Sequence, residues 1–433
     1  MTPATLLRFL LGDRRAILAV AATRGAWLVG LLLVLSAGLA REYDHEDLIH
    51  EPWHALLPLG ASLVTATILY GLVRLVSWRR SGSGWPHRGY PAFLGLYWAT
   101  APLAWLYAIP VERILPVESA VAANLGLLAV VSAWRVLLMS RVVEVVWRCR
   151  AWAAFLIVGF FAWGVAMAVL FLTPLPILSM MGGIDLAPAE ALLAATTFFT
   201  ALAIVLSSPV WLAGAAAIFL ERHRPGGAWT PDPAFASGSL RVEGSQWRLA
   251  AAAVAVGLAI LPFTQGEQIR RRAAERSLRG RDVVGAIRLM AAHARHDFPP
   301  HWDPPPRPSL GERSPRLTDV FEAIAAVDPP SWVRDLFLAK VENAERLAWN
   351  GGTLMLLDDD ELARYVDVLE RLPEGTRLAE VYAASIDRLL LRGKSGRNDD
   401  DSLAPGTPRR DLLERVRTLA GSGAEAPPPP EGG

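Results

Sequence analysis

Apolar stretches long enough to cross a membrane recur between Leu10 and Phe263, and arginines are concentrated in alternate connections between them. A helix needs about 17–25 mostly apolar residues to cross a hydrocarbon core of ~30 Å. The stretches that qualify lie at 20–40, 54–76, 91–110, 118–138, 151–173, 191–219 and 247–263. The sequence therefore predicts an all-α fold, with a polytopic transmembrane helical bundle of six or seven spans in residues 1–263 and a small soluble all-α domain after it.

The arginine distribution predicts the orientation of the bundle. Arginine-rich connections alternate with connections that hold only Arg41 and Arg113 among acidic neighbours. Cytoplasmic connections carry an excess of basic residues, so the amino terminus is predicted to be cytoplasmic. Nearly all basic residues are arginine, with Lys340 and Lys394 as the exceptions, which indicates a GC-rich bacterial genome and hence a bacterial inner-membrane protein.

The last span leaves two topologies open. The alanine-rich run at 249–263 is barely long enough to cross, and Arg270, Arg271 and Arg272 follow it on the side predicted to be outside. Seven spans would place the carboxyl-terminal domain outside the cytoplasm, and this is the topology we expect. The alternative has six spans and a cytoplasmic carboxyl-terminal domain.

The polar part of the chain divides into segments by its prolines and its apolar periodicity. Residues 264–298 predict two helices around a turn at Gly280, followed by a proline-rich linker at 299–316. Further helices are expected at 317–392, and a mostly disordered tail with one short helix at 393–433. The paired helices at 264–298 resemble one hairpin of a tetratricopeptide-like array, over about 30 residues.

Composition excludes several classes of site. The net charge is +1 and the basic residues follow the connections between spans, so nucleic acid is not an expected partner. Cys149 is the only cysteine, which excludes an intrachain disulfide and a cysteine-based metal site.

The segment YDHEDLIHEPWH at 43–54 carries the first candidate site. His50, Glu51 and His54 match the HExxH pattern of zinc metalloproteases, in which two histidines one helical turn apart bind zinc and the glutamate acts as base. Glu51 would be the catalytic residue. Pro52 departs from this pattern, because proline favours the start of a helix and would leave His50 outside it.

A second histidine segment lies at 293–303. His293 and His296 are predicted near the end of a helix, and His301 lies in the proline-rich linker. With the carboxyl terminus outside, both segments would face the same compartment and could share a divalent metal such as zinc. The alternative interpretation is that these histidines are solvated or terminate a helix, with no cofactor bound.

Three functions remain open from the sequence. We expect a non-enzymatic, membrane-anchored helical interaction or scaffold protein, whose partners are the lipid bilayer and a protein bound by the carboxyl-terminal helices. A permease or transporter subunit would need polar groups that converge in mid-membrane, for which the candidates are Asn124, Thr65, Thr67, Thr196, Thr197, Thr200, Ser207 and Ser208. A membrane metalloenzyme would use the HEPWH segment.

Arg135 lies inside an apolar stretch, and its long side chain is expected to reach the lipid head groups.

Overall fold

The computed structural model describes residues 2–44, 46–77, 88–172, 188–221, 229–300, 302–306, 315–347, 354, 357–394 and 403–422. Most of these residues are helical, so the all-α prediction is confirmed. The chain divides into two compact units: Met1–Leu175 with Ala195–Gln268, and Pro176–Ala194 with Ile269–Gly433.

The helices of the first unit follow the apolar pattern of the sequence. They are α1 (Pro3–Leu10), α2 (Arg14–Ala22), α3 (Ala26–Glu42), α4 (Trp53–Ser77), α5 (Gly89–Trp98), a 3₁₀ helix (Ala101–Ala108), α6 (Val111–Ile114), α7 (Val117–Trp147), α8 (Ala151–Leu172), α9 (Pro188–Glu221) and α10 (Gly244–Arg279). A two-residue parallel bridge joins β1 (Thr23–Arg24) to β2 (Leu240–Arg241).

Six helical segments among the described residues are long and apolar enough to cross a membrane. They are Trp53–Ser77, Gly89–Ile114, Val117–Trp147, Ala151–Ala168, Phe199–Ile218 and Gly244–Arg279. The helix in the predicted first span, α3, has 17 residues and is shorter than these six. Six such helices are the mark of a multi-pass membrane protein.

Several helices differ from their predicted bounds. Two helices, α1 and α2, precede α3, because Gly12 turns the chain between them with a positive φ of 77° and Asp13 caps α2. The span at 91–110 is α-helical only to Trp98 and continues as a 3₁₀ helix, in whose first turn Pro102 has no backbone N–H to donate. Each difference arises where a glycine or proline changes the backbone geometry.

Two helices are longer than the spans predicted within them. Helix α7 runs for 31 residues and extends beyond the predicted span 118–138 to Trp147. Helix α10 runs for 36 residues and joins the predicted span 247–263 to the first helix of the predicted hairpin, so the expected boundary at 263 falls inside a helix. Pro262 lies within α10 without ending it.

Small residues allow α3, α4 and α5 to pack closely. A β-carbon on Gly30 would lie 2.7 Å from the β-carbon of Trp98, and one on Gly95 would lie 3.1 Å from that of Ala26. A β-carbon on Gly38 would collide with the carbonyl oxygen of Ala55. Glycine at these contacts lets helix backbones approach one another, as is common between membrane helices.

The connections of the first unit collect at two ends of its helices. Tyr43 reaches the carbonyl oxygen of Ala108 at 3.0 Å, and Arg113 pairs with Glu267 at 2.7 Å, so the segments predicted outside lie together. At the other ends of the helices, Arg148 pairs with Asp232 at 2.9 Å. The β1–β2 bridge lies with this second group, which contains segments predicted inside.

The second unit has its own hydrophobic core. Its helices are the end of α10, α11 (Val283–Ala291), a 3₁₀ turn (Arg295–Asp297), α12 (Leu317–Val327), α13 (Ser331–Leu347), α14 (Asp359–Arg371), α15 (Gly375–Lys394) and α16 (Pro408–Ser422). The core is lined by fully buried aromatic and aliphatic side chains, among them Phe321, Phe337 and Tyr382. Asp358 caps α14 by accepting a hydrogen bond from the N–H of Glu361, as the acidic start of that helix suggests.

Parts of the predicted linker and tail belong to this core. Trp302 of the proline-rich linker is buried and stacks on Phe298, and its indole N–H donates to Glu275 at 3.0 Å. Helix α16 of the predicted tail buries Leu413 and Val416 completely. The predicted linker at 307–314 and the predicted tail at 395–402 and 423–433 lie outside the described residues.

Candidate functional site

The connection between α3 and α4 is held to α10 by buried amide and hydroxyl groups. The side-chain oxygen of Gln265 accepts a hydrogen bond from the N–H of Leu48 at 2.7 Å, and its nitrogen donates to the carbonyl oxygens of Tyr43 and Glu46 at 2.9 and 3.1 Å. Thr264 also donates to the carbonyl oxygen of Tyr43 at 2.8 Å. We call residues 43–52, which contain the HEPWH histidine His50, the strap.

The two histidines of the HEPWH segment, His50 and His54, form separate carboxylate pairs. His50 Nδ1 lies 2.8 Å from Asp47 Oδ2, and His54 Nε2 lies 3.1 Å from Glu51 Oε2. Helix α4 begins at Trp53, so His50 lies outside the helix that contains His54, as Pro52 predicts. Each pair joins residues three apart in sequence, and Glu51 engages His54 directly.

Metal binding by these histidines stays a prediction. Among the residues that the structure describes, no three histidine, cysteine, aspartate or glutamate side chains are grouped in a way that could hold a metal ion. His301, the third candidate of the second segment, lies outside the described residues.

The second histidine segment follows α11. His293 Nδ1 lies 2.9 Å from the carbonyl oxygen of Leu289, and the ring packs edge-on against Phe298. His296 lies in the 3₁₀ turn, next to Asp297. The N–H of Ala294 donates to Asp297, and this hydrogen bond lowers the pKa of that carboxyl below its ordinary value. These contacts fit histidines that follow a helix end, which is the alternative interpretation from the sequence.

Hydroxyl groups on α4 bond to aromatic side chains of α5. Tyr97 donates to Thr65 at 3.0 Å, and the hydroxyls of Tyr90 and Thr67 lie 2.6 Å apart. The Trp98 indole N–H donates to Ser62 at 3.0 Å. Interhelical hydrogen bonds of this kind hold membrane helices together, so Thr65 and Thr67 have a structural role in helix packing.

Arg135 lies beside these bonds. Its guanidinium carbon is 4.8 Å from the centroid of the Tyr97 ring, a distance at which the ring face attracts a cation. Tyr97 in turn bonds to Thr65, which lies midway along α4. The structure thus places one cation near the middle of an apolar span.

Among the described side chains, Asn124, Ser207 and Ser208 of the transporter hypothesis make their hydrogen bonds elsewhere. Asn124 donates to Glu112, which lies in α6. Ser207 and Ser208 both donate to the carbonyl oxygen of Ile204, within α9 itself. Thr196, Thr197 and Thr200 lie earlier in the same helix. Helix α9 continues through Pro209, with the Trp163 indole N–H donating to Ile204 as well.

A partly enclosed cavity of about 380 Å³ lies between α3, the 3₁₀ helix and α10. Its walls are almost entirely apolar, and its few polar side chains are those of Ser36, Tyr43 and Trp105. Gly257 marks the place where α10 approaches α3, since a β-carbon there would lie 2.9 Å from Leu39. The cavity size is within the ~300–1,000 Å³ of small-molecule sites.

Sequence reasoning identified the strap by its histidines and missed the residues that hold it. Gln265 is fully buried. From the flanking sequence alone, it looks like a solvated residue beyond the end of a span. Thr264, Gln265 and Gln268 follow directly on the apolar run that ends at Phe263, and a polar cluster there is the one signal that could have been used.

In comparisons with protein-family models, curated proteins and solved structures, none matches this chain.

Proposed function

We propose that this protein is a membrane-anchored helical interaction module, in which the spans of the first unit hold the second unit at the membrane for binding to another protein. The observation that carries the proposal is the separate core of the second unit. Phe321, Phe337 and Tyr382 belong to a hydrophobic cluster distinct from that of the first unit. A unit with its own core can present a stable surface to a partner.

Seven crossings and an extracytoplasmic second unit are part of this proposal. Helix α3 runs alongside the 3₁₀ helix, since Gly30 packs on Trp98, Ser36 accepts from Trp105 at 3.0 Å, and Tyr43 reaches Ala108. Its 17 residues extend for about 25 Å at 1.5 Å per residue. With α3 added to the six longer segments, an amino terminus in the cytoplasm of a bacterial cell gives a carboxyl terminus outside it.

Site-specific photo-crosslinking of the full chain in native membranes tests for a protein partner. A photoreactive amino acid would replace Val284, Leu391 or Thr418, which are exposed positions on different helices of the second unit. Leu206, which is 68% exposed on α9, is the matched control on a surface assigned to lipid. We expect an adduct of discrete mass from at least one position of the second unit and none from Leu206. Lipid adducts or no adducts at all four positions would contradict the proposal.

A permease remains the second candidate, and Arg135 is the observation that favours it. A cation within an apolar span often marks a path for a charged substrate. Uptake of carboxylates and phosphates into proteoliposomes would be compared between the original chain and Arg135→Gln. Uptake that is lost in Arg135→Gln would favour a permease over an interaction module.

Metal analysis of the purified protein tests the metalloenzyme hypothesis. Because His50 and His54 are engaged by different carboxylates, we expect the zinc content to be the same in the original chain and in His50→Ala. Stoichiometric zinc that is lost in His50→Ala would instead support a metal site, including one shared by the two histidine segments.

A further inference from the structure

The cavity between α3, the 3₁₀ helix and α10 has the shape of a groove along one helix face. Its lining residues on α10 recur every three or four positions, at Leu249, Ala252, Ala253, Val256, Gly257 and Ile260. This spacing places them on a single face of the helix. From Leu249 to Ile260 the helix rises about 16 Å, which is close to half of the ~30 Å hydrocarbon core.

The polar atoms at the cavity are already paired within the protein. The Ser36 hydroxyl donates to the carbonyl oxygen of Leu33 at 2.8 Å and accepts from the Trp105 indole at 3.0 Å. The Tyr43 hydroxyl donates to Ala108. A polar ligand would lose its own hydrogen bonds to water or head groups on entry, so an occupant without polar atoms in the groove fits best.

From these observations we propose that the groove binds one acyl chain of a membrane phospholipid. Helix α10 is one of the six segments that are long and apolar enough to cross a membrane, and a helix that crosses has lipid chains within reach. An acyl chain that moves from the bilayer into the groove gains little hydrophobic free energy, because both surroundings are apolar. It does gain dispersion contacts with the groove walls, which an empty groove would lack. The short side chains of Ala252 and Ala253 leave the space that the chain fills. This site does not depend on the proposed interaction function.

The test uses the full chain reconstituted in phospholipid nanodiscs that contain a phosphatidylcholine with a photoactivatable acyl chain. After illumination, labelled peptides are identified by mass spectrometry. The filling variant is Ala253→Phe, which places a phenyl ring in the groove. The control is Ala255→Phe, because Ala255 is exposed on the same helix and does not line the cavity. Thermal melting confirms that both variants are folded.

We expect labels on residues 249–260 and on α3 in the original chain and in Ala255→Phe, and loss of the α3 labels in Ala253→Phe. An acyl chain that only surrounds the protein would label α10 and exposed positions of α9, such as Leu206, to the same degree in all three proteins. That pattern, or an absence of labels on α3 in the original chain, would overturn the proposal.

Discussion

Single glycines decide whether the helices of the first unit can pack at their observed separation. Gly38 of α3 faces the backbone of α4, where the carbonyl oxygen of Ala55 occupies the position that a β-carbon would need. Backbone atoms cannot turn aside as a flexible side chain can, so the two helices must separate if Gly38 acquires a side chain.

We predict that Gly38→Ala lowers the free energy of unfolding by about 1–3 kcal/mol, the usual range for overpacking. The measurement is thermal or denaturant unfolding in detergent. Gly71→Ala is the matched control in α4, because no atom lies within 4 Å of a β-carbon built there. Equal stability of the two variants would show that α3 and α4 do not pack as described.

Tyr43 joins the strap to the 3₁₀ helix through its hydrogen bond to Ala108, and its hydroxyl should lose its proton only at high pH. Burial, with the nearby carboxylate of Asp44 as a lesser cause, raises the pKa of Tyr43 to about 12 from its ordinary value of 10.0. The folded state therefore holds this proton more tightly than the unfolded state. The stabilisation is complete below pH ~10 and is lost as the pH rises toward 12.

The phenolate absorbance of the original chain minus that of Tyr43→Phe isolates this titration. We predict a difference midpoint near pH 12 in the folded protein, and one near pH ~10 in denaturant. A folded-state midpoint near 10 would mean that the Tyr43 hydroxyl is solvated and does not bond to Ala108.

At the scale of elements, the side-chain amide of Gln265 makes three of the hydrogen bonds that hold the strap to α10. Replacing Gln265 by alanine leaves the N–H of Leu48 and the carbonyl oxygens of Tyr43 and Glu46 without these partners. We predict a loss of about 2–4 kcal/mol in stability and faster hydrogen exchange at Leu48. Ser245→Ala, a polar-to-alanine change 20 positions away on the same helix, is the control. Unchanged exchange at Leu48 in Gln265→Ala would contradict the proposed anchoring.

The sequence predicted the type of element better than its extent. Apolar length and periodicity are local properties, so helices were predicted at the spans and within 317–392. The length of α10 was missed because Pro262 and the polar residues after Phe263 resemble the end of a span. Gln265 bonds to Leu48, 217 positions away, and no local pattern encodes such a contact.

For the whole molecule, the central claim is that the first unit crosses the membrane and carries the second unit on the extracytoplasmic side. Arginines distinguish the two ends of the first unit: Arg148 lies with the segments predicted inside, whereas the strap and Glu267 lie with those predicted outside. Helix α10 leads from the first unit to the second, so its direction of crossing decides the location of the second unit.

The most direct test fuses alkaline phosphatase or a fluorescent protein to Gly433 of the full chain in a bacterial host. Phosphatase is active only outside the cytoplasm, whereas the fluorescent protein fluoresces only inside it. We predict phosphatase activity without fluorescence, which requires that α10 crosses outward as the seventh span. Fluorescence without phosphatase activity would contradict this topology and make the second unit a cytoplasmic module.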